Sequence, residues 1–212
     1  MIDYGKVYES VRSFLSTRDG LKNPKKSSNF EWFVRDFAGI LCGISHENDV
    51  PSSEIVSFLD LVRDHEFIPL ECDGQLNDVS DLIKPQVLDH RLYKLTERAL
   101  MYFKPGNTQA GPGEFFMCFY DKDSRYGVEN TCGYDVLLDR VTTEMKSYGS
   151  NFTTPELLDG YADSDKVERL LVVKPVSDAK EPRERSKYIC CHTTDWRKHL
   201  THVGKNGSLV LL

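Results

Sequence analysis

Apolar residues recur at helical spacing over about the first 90 positions and at strand spacing further on, so the chain changes character midway. Val7, Val11, Phe14 and Leu15 fall on one helical face, and Gly20 to Ser28 (GLKNPKKSS) reads as a turn-rich basic loop that ends this helix. Ser28 followed by Glu31 has the spacing of a capping box, in which the serine oxygen takes an orphan amide and the glutamate reaches back. Phe30, Phe33, Val34, Phe37 and Leu41 then form an apolar stripe. Pro51-Ser52-Ser53-Glu54 opens a further helix with Ile55, Phe58, Leu59 and Val62 on one face. Leu88, Leu92, Leu95 and Ala99 predict a helix from about Pro85 to Phe103, broken by Pro105-Gly106-Asn107. A short apolar helix (GEFFMCFY) follows Gly111. Five β-capable runs come next: Tyr134 to Leu138, Val141 to Tyr148, Leu170 to Val173, Tyr188 to His192, and Leu209 to Leu212 behind an Asn206-Gly207 turn. The expected organisation is α/β, with a helical N-terminal region over residues 1–104 and a mixed α/β core over 105–212.

Composition narrows the function classes. The 212 residues are 40% hydrophobic and 28% charged, as in ordinary globular domains and unlike disordered chains. A formal net charge of −6 gives no general attraction to nucleic acid, so any grip on phosphates has to come from local patches. Lys180, Arg183, Arg185 and Lys187, and then Arg197 and Lys198 beside Trp196 and His199, are the candidate nucleic-acid-binding residues; Lys22, Lys25 and Lys26 form a lesser cluster. The same residues also read as solvated loops, because Asp178, Glu181 and Glu184 are interspersed. No apolar run approaches the roughly 18 residues of a membrane span, and MIDYGKVYES lacks the blocks of a signal peptide, so a soluble cytoplasmic protein without a membrane partner is expected. The six scattered cysteines are expected to be reduced. Cys190-Cys191 would point to opposite faces of a strand, and neither this pair nor His192, His199 and His202 has the spacing of a zinc site.

The candidate chemistry lies between Gly133 and Ser147. Two strands joined at Asp139-Arg140 would set Asp135 at the start of the first and Glu144 and Lys146 two apart on the second. Period-two alternation turns Glu144 and Lys146 to one face and Met145 to the other. Asp135 and Glu144 offer the oxygen ligands a hard divalent cation prefers, and Lys146 would lie beside it, suited to neutralising charge on a phosphoryl group. Asp139 is expected to serve the turn. Upstream, Gly111-Pro112-Gly113-Glu114 opens the apolar helix, and Glu114 in its first turn is favoured by the helix dipole and could also reach a metal. The bland alternative is a solvated hairpin face with an ordinary ion pair.

The Gly-x-Gly-Glu helix start, Asp135 two residues after Gly133, the nine-residue step to Glu144, and Glu144-x-Lys146-Ser147 together resemble the PD-(D/E)xK nuclease superfamily. The stretch concerned is about Gly111 to Ser147, and it leaves the N-terminal helices uncovered. Tyr134 stands where that pattern has proline. The resemblance implies a restriction-endonuclease-like mixed central sheet flanked by helices and Mg²⁺-dependent hydrolysis of DNA phosphodiester bonds to a 5′-phosphate and a 3′-hydroxyl. Endonuclease action is the expected mode, and Mn²⁺ is expected to substitute. It further implies Glu114, Asp135 and Glu144 as acidic metal-binding residues and Lys146 as the catalytic lysine. In style the chain is similar to small phage-encoded nucleases, with a homodimer as one arrangement open to it. The alternative of another class is a nucleic-acid-binding or virion-associated protein that keeps the fold and does not cleave.

Overall fold

The computed structural model describes residues 2–18, 27–102, 112–126, 133–147, 154–174, 186–203 and 208–211. The chain divides into two units: residues 1–67 with 83–126, and residues 68–82 with 127–212.

The first unit is helical. Asp3 caps α1 (Tyr4–Ser16) by accepting from the Lys6 amide at 3.0 Å, and Val7, Val11, Phe14 and Leu15 are buried as their spacing predicts. Helix α2 (Ser27–Glu47) carries the buried Phe33, Val34, Phe37 and Leu41. The Ser28 side chain of the expected capping box lies outside the described residues; the Glu31 carboxylate accepts from the Tyr8 hydroxyl at 2.5 Å and Arg12 Nε at 3.0 Å, two donors that α1 brings to it. Helix α3 (Ser52–Arg63) begins where Pro51 predicts. The single helix expected from Pro85 to Phe103 is two, α4 (Pro85–Leu88) and α5 (Arg91–Tyr102), separated at Asp89-His90. There the His90 ring accepts from the Leu92 amide at 3.2 Å, competing with helix continuation as a capping side chain does.

Helix α6 (Pro112–Tyr120) is apolar on every side from Phe115 to Tyr120, and all six of those residues are buried. Phe115 packs edge-on against Phe33 and Phe37 at 5.2 and 5.6 Å between centroids, and Phe119 meets Phe37 at 5.4 Å. These contacts put α6 in the helical unit, together with the two-residue strand β2 (Arg125–Tyr126). The expected division at 104/105 therefore does not coincide with the units, since an all-round apolar helix needs the bundle to cover it. Arg18 is the other organising residue here, only 1% exposed. Its guanidinium donates to the Val62 and Arg63 carbonyls at 2.7 and 2.9 Å and to the Phe119 carbonyl at 3.1 and 3.2 Å. The C-terminal carbonyls of α3 and α6 thus share one cation, which suits their dipoles.

His65, 4% exposed, uses both ring nitrogens: Nδ1 donates to the Tyr120 carbonyl and Nε2 accepts from the Lys84 amide at 3.0 Å. Burial holds its pKa below the ordinary 6.5. The neutral ring is the form this site fits, so its contribution is full above pH 6.5 and is lost as pH falls, when the unfolded chain takes up the proton first. Protonation also forfeits the Lys84 bond, a loss of about 1–3 kcal/mol. Urea midpoints at pH ~7.5 and ~5.5 should therefore differ more in wild type than in His65→Gln; equal differences would contradict this.

The second unit is built on five strands in the order β1-β6-β5-β4-β3. β3 (Val136–Leu138) and β4 (Val141–Ser147) form an antiparallel hairpin with Leu138 opposite Val141. Asp139 and Arg140, at φ 50° and 65°, supply the left-handed two-residue turn. β4 runs parallel to β5 (Arg169–Lys174), and β5 antiparallel to β6 (Lys187–His192). β1 (Leu76–Asp78), a strand the sequence pattern did not single out, pairs antiparallel with β6 on the far edge. The crossover from β4 to β5 contains α7 (Pro155–Ala162), capped by Thr154 accepting from the Leu157 amide at 3.3 Å. Leu158 of α7 packs with Leu170, Val172, Cys191, Trp196 and Leu200, and Tyr161 lies against the same cluster. A mixed sheet with a helix on one face is thus present, and the α/β class expected from sequence holds. After α8 (Trp196–His199), β7 (Leu200–Val203) pairs with β8 (Ser208–Leu211); the Asn206-Gly207 turn lies outside the described residues. Among the described residues no helix is long and apolar enough to cross a membrane.

Candidate functional site

The β3–β4 hairpin brings Asp135, Glu144 and Lys146 together within the second unit. The Asp135 amide donates to the Thr143 carbonyl at 3.2 Å, extending the ladder one residue before β3 and setting Asp135 beside Glu144. Asp135 Oδ2 accepts from the Met145 amide at 2.9 Å, which fixes that carboxyl against the β4 backbone. Glu144 and Lys146 stand opposite Leu170 and Val172 of β5, on the face α7 covers, while Met145 is buried on the other.

The geometry is closer and drier than a solvated hairpin face. Lys146 Nζ bonds Glu144 Oε1 and lies 4.0 Å from Asp135 Oδ2. The side chains of Glu144, Lys146 and Asp135 are 6%, 18% and 30% exposed, so water screens their mutual field only weakly. Two carboxyls then compete for one ammonium. Burial first, and the adjacent Glu144 charge second, push the Asp135 carboxyl up to about 6; Lys146 and the Met145 amide pull the other way and only partly offset this.

Tyr161 on α7 is a member of the site that residue patterns did not reveal. Its hydroxyl donates to Glu144 Oε1 at 2.7 Å, and Lys146 Nζ lies 5.6 Å from its ring centroid. Burial and the Glu144 carboxylate raise its pKa, keeping it a hydrogen-bond donor. Thr154-Pro155-Glu156, a cap followed by proline and an acid, was the available sign of the helix that carries it.

The other candidates are placed as follows. Glu114 stands in the first turn of α6, in the helical unit. Asp139 serves the turn as expected, and its Oδ2 also accepts from the Leu70 amide at 3.2 Å and Arg169 Nη1 at 3.4 Å. Lys187, Arg197 and Lys198 each hold a nearby acid: Asp78 at 2.8 Å, Asp159 at 2.5 Å and Asp195 at 2.6 Å. Such surface pairs are worth about 0–1 kcal/mol, so they can open to a phosphate. Lys180, Arg183, Arg185, Lys22, Lys25, Lys26 and Gly111 lie outside the described residues. His192 is exposed at the end of β6. Among the described residues no three His, Cys, Asp or Glu side chains group as a ready metal-binding set. Two neighbouring carboxyls do fit a hard cation that keeps most of its waters, as Mg²⁺ does, because one divalent charge would offset the repulsion that helps raise the Asp135 carboxyl. Compared with known proteins, the chain matches no family model, no curated protein and no solved structure.

Proposed function

We propose that the chain is a metal-dependent nuclease that hydrolyses DNA phosphodiester bonds on a restriction-endonuclease-like core. The observation that carries this reading is the convergence of the Asp135 and Glu144 carboxyls and the Lys146 ammonium on one weakly hydrated patch of the sheet. A buried excess of negative charge beside a lysine is a costly arrangement for a purely structural hairpin, and a cation together with a phosphate relieves it.

In this reading Asp135 and Glu144 hold Mg²⁺, or Mn²⁺ in its place; when bound, the ion supplies Lewis acidity toward the phosphate and a lowered pKa for attacking water. The Met145 amide keeps Asp135 oriented, and the Tyr161 hydroxyl does the same for Glu144. Lys146 gives its charge to the oxygen on which negative charge develops, a role its ammonium can take once Glu144 has another cation as partner. Glu114 is the third acid the resemblance implies, but the reading stands on the two acids of the hairpin. Lys187, Arg197 and Lys198 are the described candidates for backbone phosphate contacts.

Digestion of circular and linear DNA, single- and double-stranded, tests the proposal directly. Cutting with Mg²⁺ or Mn²⁺, abolished by chelation and by Glu144→Gln, is expected. Cutting of circular substrates would identify endonuclease action. DNA binding without cutting under either metal would overturn the nuclease reading in favour of a non-catalytic nucleic-acid-binding protein.

A further inference from the structure

Two thiols meet on the other face of the same sheet. Cys72, in the segment leading to β1, and Cys190 of β6 have their sulfurs 3.5 Å apart although 118 positions separate them. The backbone builds this contact: the Gly74 amide donates to the Cys190 carbonyl at 2.9 Å, and Leu76 then pairs with Ile189. Gly74 has φ 70°, and a Cβ there would fall 1.9 Å from a ring atom of His199, so only glycine makes this approach. Cys190 is fully buried and Cys72 only partly, so Cys72 is the more accessible residue of the two.

The surroundings make the two thiols unequal. Arg169, 5% exposed, is held by Asp139, and among the described residues its Nε makes no hydrogen bond, which leaves its charge to act on Cys72. The contact with Cys190, followed by the charges of Arg169 and His192, outweighs burial and brings Cys72 down to about 6. Cys190 is pushed up by that same contact and by burial. A more accessible thiolate in contact with a protonated thiol is the arrangement of an attacking and a resolving cysteine.

We propose that Cys72 and Cys190 form a redox-active dithiol that exchanges with small-molecule disulfides such as oxidised glutathione and closes to an intramolecular disulfide. The Cys72 thiolate attacks one sulfur of the disulfide RSSR, forming a mixed disulfide and releasing RS⁻. Cys190 then gives up its proton and attacks the Cys72 sulfur, expelling the second RS⁻. The two cysteines lose two electrons in all, and RSSR gains them as two RSH. The pair lies across the sheet from Glu144 and Lys146, so this inference does not depend on the proposed nuclease chemistry.

The test uses the full chain in glutathione buffers of graded ratio, with disulfides mapped by peptide mass spectrometry. A Cys72–Cys190 bridge is expected in wild type, a stable glutathione adduct on Cys72 in Cys190→Ser, and neither in Cys72→Ser. Alkylation of untreated wild type supplies a readout free of any folding defect: Cys72 should react at least ~10-fold faster at neutral pH than Cys42, which is also partly exposed but raised by burial. Bridges formed at other cysteines, or alkylation of Cys72 no faster than that of Cys42, would overturn the proposal.

Discussion

Lys146→Ala is expected, on the proposed nuclease reading, to lower metal-dependent DNA cleavage by about 10²–10³-fold with DNA binding little changed, the scale seen when one preorganised charge-stabilising donor is removed from a transition state. Lys146 is 18% exposed, and its polar and ring contacts among the described residues are groups of the candidate site: Glu144 by a direct bond, Asp135 at 4.0 Å, and the Tyr161 ring. A lysine that merely neutralised a hairpin would lose stability on truncation without selective loss of turnover. Lys146→Arg separates these roles further. The guanidinium keeps the charge but is planar and larger than an ammonium, so it can restore the ion pair while misplacing the donor. Single-turnover cleavage beside melting temperature is the check. Wild-type cleavage in Lys146→Ala would remove the lysine from the mechanism.

Arg18→Ala should destabilise the helical unit by about 3–5 kcal/mol, the largest single-residue effect on stability expected there. The side chain buries a charge that has no carboxylate bonded to it among the described residues, and burial brings its pKa down to about 10. Its favourable partners are the carbonyls of Val62, Arg63 and Phe119, and the ring of Phe14 lies 4.7 Å from the guanidinium carbon. Truncation leaves the C-terminal carbonyls of two helices facing a cavity. Arg18→Lys keeps the charge but cannot donate to three carbonyls from one flat fork, so an intermediate loss is expected. Denaturant unfolding followed by helical circular dichroism measures both; a loss under ~1 kcal/mol for the alanine variant would mean that water replaces the guanidinium.

What was legible in the sequence was local. The alternation of Glu144, Met145 and Lys146 gave the faces of β4, and Asp139-Arg140 marked the hairpin turn correctly. Cys190 and Cys191 do face opposite sides, one toward Cys72 and the other into the α7 cluster. What escaped was set by tertiary partners. Glu31 takes Tyr8 and Arg12 of α1 as donors, partners that its spacing within its own helix does not encode. The apolar run at Phe115 was expected within the mixed core, and aromatic rings of the other helices, Phe33 and Phe37 among them, set where it packs. Strand β1 has three residues and belongs with a sheet whose other strands come some 60 positions or more later, too short a segment for periodicity to register. Tyr161 escaped because its role depends on α7 crossing over β4, a relation that residue spacing does not encode.

The claim on which the functional reading rests is that Asp135 and Glu144 together bind a divalent cation. Without added cation, Asp135 with its pKa raised from 3.8 to about 6 contributes stability fully below the lower value and loses it as pH rises through the higher one. A bound cation reverses this by taking the proton's place. Calorimetric titration of Mg²⁺ and Mn²⁺ into wild type, Asp135→Asn and Glu144→Gln, in two buffers of different ionisation enthalpy, measures binding and proton release at once. The account predicts binding to wild type that weakens as pH falls below about 6 and releases a proton there, with neither variant binding at the same site. Equal binding by all three proteins, or none by wild type, would contradict it.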